Sequence, residues 1–489
     1  MPEATWLYSS MQHTRLFTLL GTLDPSEWRR FDRWVHSPWV HQHQDTIRFW
    51  ELIEQEGLEE HSAETAFAQL YPDQPYDDAQ MRTLRKYLLR LLLDFLAQES
   101  VEQDHWMKTY QGLKALRSKG AEKVFARQLQ QADQRLNQHQ AHDADHYLRR
   151  YWVEGLKLEY AAQHSPRLLW DSLQDANQAL DTHYLAEKLL LLMGAASRQG
   201  LTNASPENLP LAEVVIGQVA LTYGEQPPLI QACYQAYQAM VQRDDAQLTA
   251  YRELRHLLQQ AGHRLARELR INLYLSAINV ANACYQRGQE EFLREMLDLY
   301  REMLAQGLLQ TGGLLSVHNY KNIVTLALRL GEYEWTEQFI ENHQIDLPER
   351  TQPGVYHYNL ANLRSHQGHY REALRHLQQV EFLDPFYQIG YKMLQLKIYY
   401  ECDEIEALLS LATTFRTFVR RQRHLPEQRK QAYLNFIRFA RALFMVKLGR
   451  QSNLAALAEE IEAAGALIEK GWLKGKLGEL VVDRGDSKA

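Results

Sequence analysis

Three glycines, Gly288, Gly331 and Gly368, each stand between two helical patterns, and this punctuation constrains the fold more than any other feature of the 489-residue chain. The clearest instance runs from Tyr358 to Pro385, YNLANLRSHQGHYREALRHLQQVEFLDP. Leu360 and Ala361 precede the glycine, Tyr370, Ala373 and Leu377 follow it, and Pro385 closes the unit. A glycine suits a helix C-cap because a left-handed residue satisfies the last carbonyls without a Cβ clash. Ala373 is small enough to let two helices approach closely. Gly331-Glu-Tyr333 repeats the pattern, with Ile323 and Val324 before it, Thr336 at the small position and Pro348 at its end. Gly288, followed by Glu290 and Leu293, repeats it more loosely, and Ala407 after Cys402-Asp403-Glu404 continues it. The reference positions 288, 331, 368 and 402 lie 43, 37 and 34 residues apart.

This pattern resembles the tetratricopeptide repeat, whose 34-residue unit places small side chains where paired helices cross and proline where the second helix ends. His357 and Arg364 stand where the family carries Trp and Tyr. The resemblance covers residues 272–420 and implies an all-α fold, an α-α superhelix of divergent repeats. The expected organisation is an acidic helical domain over 1–100, highly divergent hairpins over 101–271, tetratricopeptide-like repeats over 272–420 and capping helices over 421–489. The N-terminal stretches HSPWVHQHQDTIRFW and YPDQPYDDAQMRTLRKYLLRLLLDFL are also similar to those of uncharacterised bacterial repeat proteins, a likeness that transfers no function.

Counting back nine residues from each glycine gives Asn279, Asn322 and Asn359; six residues back gives Asn282, Thr325 and Asn362. In the family these positions face a groove, where asparagine amides hold extended peptides, often beside a lysine such as Lys321. An amide offers both a donor and an acceptor, which matches a peptide backbone without demanding a sequence. The expected peptide-binding set is therefore Asn279, Asn282, Lys321, Asn322, Asn359 and Asn362, with the central Asn322 weighing most. The alternative is that these asparagines bond neighbouring helices or solvent. Before Cys402 the equivalent positions are Met393 and Leu396, so a polar groove would end near residue 365.

Charge narrows the class of partner. Residues 1–100 hold nine Lys and Arg against sixteen Asp and Glu, leaving forty-five of each sign over 101–489. Phosphate affinity comes from clustered cations, so an acidic N-terminal part argues against nucleic acid. Arg82, Arg85, Lys86 and Arg90 share part of a helix and read as a solvated face. Cys233, Cys284 and Cys402 form neither a disulfide framework nor a zinc motif, which suits a reducing cytoplasm. The N-terminal stretch lacks a basic n-region, and the longest apolar run, Leu189 to Ala196, is too short to span a bilayer. Neither export nor membrane insertion is expected.

Helix signals also organise the N-terminal part. Asp24-Pro25-Ser26-Glu27 carries a cap, a first-turn proline and a Glu at the third position, and that helix should stop before Ser37-Pro38. Asp45 is a candidate cap for a second helix containing Ile47, Trp50 and Ile53. Asp77 opens a long one with Met81, Leu84, Leu88, Leu91, Leu92 and Phe95 on one stripe. Glu213-Val-Val-Ile-Gly-Gln-Val reads as a helix after Pro210, and no strand alternation stands out.

Two stretches invite sharper chemistry. HQAHDADH puts His139, His142, Asp143 and His146 at ligand-like spacing, but its polar setting reads as a solvated helix end, so no metal or other cofactor is expected. FRTFVRRQRHLPEQRKQ is the most basic segment. With Phe415, Phe418 and Val419 at helical spacing it reads as an amphipathic helix ending in cations. The chain contains no P-loop, dinucleotide, nucleophile-elbow or zinc-protease motif. The resulting expectation is a cytoplasmic, non-catalytic scaffold that binds a protein or peptide, with no nucleic acid and no membrane. The alternatives are a peptide-sensing regulator whose N-terminal domain acts on an effector or DNA, and a structural homo-oligomer.

Overall fold

The computed structural model describes residues 14–40, 43–56, 62–138, 142–164, 169–198, 208–381, 385–422, 425–449 and 454–486. Among them the chain is all-α apart from one short hairpin. The helices are α1 (Arg15–Leu20), α2 (Pro25–Val35), α3 (Gln44–Glu56), α4 (Ala63–Leu70), α5 (Asp78–Gln103), α6 (His105–Ser118), α7 (Glu122–Gln138), α8 (Ala144–His164) and α9 (Leu169–Arg198). They continue with α10 (Ala212–Leu221), α11 (Pro228–Val241), α12 (Asp244–Ala261), α13 (Arg267–Gln286) and α14 (Phe292–Ala305), and then the strands β1 (Gln310–Thr311) and β2 (Leu314–Leu315). Next come α15 (Val317–Arg329), α16 (Tyr333–Asn342), α17 (Gln352–His366), α18 (Tyr370–Leu377) and α19 (Pro385–Glu401). The last four are α20 (Ile405–Arg421), α21 (Glu427–Lys447), α22 (Leu454–Ala463) and α23 (Lys470–Asp486). No helix among the described residues is long and apolar enough to cross a membrane. The described residues form two compact units, one up to residue 181 and one from 182 onward, residues 142–144 belonging to the second.

In the first unit the local signals produce the expected starts. The Asp24 carboxylate accepts from the Ser26 and Glu27 amides while Glu27 accepts from Asp24 N–H, a complete capping box. Asp77 caps α5 through the Ala79 and Gln80 amides, and all six residues of the α5 stripe are buried. Asp45 plays a different part. It lies inside α3 and accepts from Tyr71 Oη at 2.8 Å, while His43 Nδ1 accepts from Thr46 N–H at 3.2 Å at the helix start. One apolar cluster runs from Leu16 to Phe95, and a second joins Leu113, Phe125, Leu129, Leu136, Val153 and Leu156 on α6 to α8. On α5, Arg82 and Arg85 pair with Asp78, and Arg90 lies over Tyr87. His139 lies outside the described residues; His146 is buried on α8.

In the second unit α11 packs on α12, α13 on α14, α15 on α16, α17 on α18 and α19 on α20. A second set of contacts joins α11 to α13, α15 to α17, α17 to α19 and α19 to α21. The same turn ends α13, α15, α17 and α19. Gly288, Gly331 and Gly368 have φ of +93°, +74° and +80°, and Asp403 has +59°. After each, the next amide donates five residues back: Gln289 to Cys284, Glu332 to Ala327, His369 to Arg364 and Glu404 to Tyr399. This is the bond by which a left-handed C-cap satisfies a helix's last carbonyls. The fourth turn is therefore centred on Asp403, one residue beyond Cys402. That shift puts Leu408, fully buried, at the position that Thr336 and Ala373 hold in their hairpins, and leaves Ala407 half-buried. β1 and β2 escaped the strand reading because two residues per strand are too few to alternate. Their signal is Gly312-Gly313, whose φ values of +58° and +81° make the tight turn.

On α20, Phe415 and Val419 are buried while Arg416, Arg420 and Arg421 are exposed toward the C-terminal end; Arg423 lies outside the described residues. His142 pairs through its backbone, its N–H donating to Arg264 O at 2.7 Å. No group of three metal-ligating side chains occurs among the described residues.

Candidate functional site

The asparagines picked out by spacing differ in what surrounds them. The packed side of α13 buries Leu269, Leu273, Tyr274, Ala277, Ile278, Ala281 and Cys284. Leu275, Asn279 and Asn282, at helical spacing, are left on the exposed side. Leu275, one turn before Asn279, also lines an apolar cavity of about 300 Å³ with Ile271, Met303, Leu308, Leu314 and Asn319.

On α15 the adjacent residues Lys321 and Asn322 look different ways. Half-buried Asn322 donates from Nδ2 to Tyr300 Oη on α14 at 3.3 Å. Lys321 Nζ lies 4.7 Å from the Tyr387 ring centre and 5.5 Å from that of Tyr358, a two-ring cation–π seat between α17 and α19. Tyr387 in turn donates to Val317 O at 2.7 Å. Gly390 makes this seat feasible. A Cβ there would stand 2.6 Å from Tyr358 Oη and 3.1 Å from Lys321 Nζ.

Asn359 is fully buried in α17 and donates from Nδ2 to Val355 O in its own helix at 2.8 Å. Asn362 is half-buried, and its carbonyl lies 2.9 Å from His366 Nδ1. The spacing thus groups residues whose side chains divide into exposed amides on α13, an amide turned to α14 on α15, and an amide turned inward on α17.

The two departures from the repeat pattern are both engaged. Arg364 reaches Glu337 on α16 at 2.5 Å and Glu372 on α18 at 3.0 Å. His357 on α17 stacks on His376 of α18, with the two Nδ1 atoms 3.2 Å apart. Only one ring can donate in that contact. Burial holds both imidazoles below the usual histidine pKa; His376 adds to this at His357, while at His376 Glu372 opposes it and Arg364 and Arg375 add to it. A base whose folded pKa is depressed favours folding while neutral. Its contribution is complete above ~6.5, the ordinary histidine value, and is lost as pH falls below it, because the unfolded chain takes up protons first. Chemical denaturation at pH 7.5 and 5.5 should therefore show a smaller acid-induced loss in His376→Gln than in the parent. Equal losses would mean that the pair does not titrate in this way.

Tyr300, Tyr358, Tyr387 and Gly390 were not singled out by sequence spacing. Of these only Gly390 had a signal, since a glycine within a helical pattern often marks close approach. No protein-family model, curated protein or solved structure matches the chain.

Proposed function

We propose that the chain is a non-catalytic adaptor whose tetratricopeptide-like hairpins stack into an α-α superhelix and bind a protein or peptide on the face formed by their first helices. The observation that carries this is the recurrence of one hairpin with one turn. Left-handed residues end α13, α15, α17 and α19, and the first helices of successive hairpins touch, α15 with α17 and α17 with α19. A hairpin cannot bury its own apolar face, so such units stack and present a continuous surface for an extended ligand. Asn279 and Asn282 offer exposed amides on the same side of α13 as Leu275, which lines the apolar hollow, a pairing suited to a peptide backbone with an apolar side chain. A cytoplasmic setting fits the free thiols: burial pushes Cys233 up to about 12, which keeps it protonated and inert.

The test is selection of peptides from a random library on the full-length protein, followed by titration of the variants. Asn279→Ala with Asn282→Ala should weaken binding by ~1 kcal/mol per lost hydrogen bond, about fivefold each, at unchanged melting temperature. Asn322→Ala, which removes the bond to Tyr300, should instead lower stability by ~1 kcal/mol and leave affinity alone. Peptides that bind equally well to the Asn279, Asn282 double variant would refute the proposed surface.

A further inference from the structure

The stretch between Gly288 and Gly331, 43 residues against 37 and 34 for the next two, holds an element that the others lack among the described residues. It is the hairpin of β1 and β2 between α14 and α15. Insertions in a repeat array map to loops, and such loops often carry the binding face. This one is tied down on two sides. Arg267 at the start of α13 donates to Gly307 O at 2.8 Å and to Gln310 O, while Leu315 N–H donates to Asp346 O at 2.7 Å. Gln310 Nε2 adds a bond to the Asp346 carboxylate at 3.3 Å.

Held there, the hairpin closes one side of the cavity of about 300 Å³ that Leu275 lines on α13. Met303, Leu308 and Leu315 are buried in its wall; Leu275 and Leu314 are 36% and 44% exposed, so the cavity opens to solvent past them. No charged side chain lines it, and the polar ones are Thr311, Ser316 and Asn319. Ser316 is engaged as the cap of α15, its Oγ accepting from Asn319 N–H at 3.1 Å. The Asn319 side chain makes no hydrogen bond among the described residues. An apolar hollow with an available amide at its edge is the layout of a site that fixes an apolar group and orients what carries it.

Size and chemistry select the occupant. The volume is about twice that of a cavity that takes up benzene, ~150 Å³, and lies at the lower limit of small-ligand pockets, ~300 to 1,000 Å³. It suits one bulky side chain better than a larger molecule. A charged group would lose its hydration with no counter-ion in the wall. We propose that the hairpin cavity is an anchor subsite, taking one large uncharged side chain such as phenylalanine or leucine from an extended peptide, with the Asn319 amide on the backbone beside it. That the ligand is a peptide rests on the reading of α13 as a peptide-binding face. Asn279 and Asn282 follow Leu275 by about 6 and 10 Å along the helix axis, which an extended chain covers in about two and three residues. The anchor therefore sits that far along the ligand from the backbone groups that α13 holds.

The test is fluorescence anisotropy of three labelled serine heptapeptides, carrying phenylalanine, serine or glutamate at the centre, titrated with the full-length protein. The phenylalanine peptide should bind at least about tenfold more tightly than the all-serine one, as burial of a side chain of that size requires. The glutamate peptide should gain nothing. Leu314→Glu and Leu275→Glu, both at partly exposed positions, should each remove the phenylalanine preference at unchanged melting temperature, and Asn319→Ala should weaken that peptide about fivefold. Asn279→Ala with Asn282→Ala should weaken the phenylalanine and serine peptides alike and leave their ratio intact. If that double substitution changes neither affinity while the preference stays, the amide face fails and the anchor stands. Equal binding of the phenylalanine and serine peptides, or none by either, would overturn the proposal, as would a preference that survives both glutamate substitutions or full affinity in Asn319→Ala. Uptake of toluene without any preference among the peptides would assign the cavity to a free small molecule and overturn it equally.

Discussion

Replacing Trp50 with alanine is expected to destabilise the first unit by ~3–5 kcal/mol, the range for deleting a fully buried large aromatic. Trp50 has no exposed surface and packs edge-on against Phe31, ring centres 4.8 Å apart, and against Trp28 at 5.0 Å. Its indole N–H donates to Asp32 Oδ1 at 3.0 Å, which ties α3 to α2. Alanine would leave both a cavity and an acceptor that has lost its donor. Trp50→Phe keeps most of the bulk and loses mainly the hydrogen bond, so it should cost less, ~1–3 kcal/mol. Denaturant titration followed by far-ultraviolet circular dichroism reads both. A Trp50→Ala loss under ~1 kcal/mol would contradict this packing.

The other large effect is electrostatic. Glu154 on α8 is buried, with its side chain 4% exposed, and accepts from Lys157 at 2.9 Å and Arg150 at 3.3 Å. Asp133 on α7 pairs with the same two cations, both at 2.8 Å. The four charges balance only as a set. Glu154→Ala would leave two partly exposed cations sharing the Asp133 carboxylate, and losing one partner of such a charge-assisted set costs ~1–3 kcal/mol. Replacing all four with apolar residues of similar volume should cost far less, because no charge is then stranded. Thermal unfolding of the single and quadruple variants separates the cases. A single variant no less stable than the quadruple one would show that the network is already solvated.

Helix starts and stops were readable because they are chemistry between residues one to five apart. Asp24 and Asp77 cap the helices they precede, and the glycines at 288, 331 and 368 adopt the left-handed turn their sequence context calls for. The six apolar residues from Met81 to Phe95 are buried because a stripe at helical spacing has to face a core. The signals weakened where two residues could do the same work. Asp45 has the composition of a cap but sits within α3, bonded to Tyr71, and the cap position at the fourth turn belongs to Asp403, since Cys402 bears no backbone signal to separate it from its neighbour.

The sequence by itself determined that this chain is helical, where α2, α5 and α10 begin, and that Gly288, Gly331 and Gly368 end the first helices of three hairpins, because each of those facts depends on side chains within a turn of one another. Spacing also aligned Asn279, Asn322 and Asn359 in register, but register fixes only the face of a helix on which a residue lies, not what that face meets. Tertiary packing decided that Asn279 stays exposed, that Asn322 turns to Tyr300 and that Asn359 is sealed inside α17. It also brought Lys321 to Tyr387 across 66 residues and Lys397 to Glu469 across 72, distances over which no local pattern specifies a partner. Contacts of that range are set by how successive hairpins stack, and stacking follows from the summed shape and burial of many side chains.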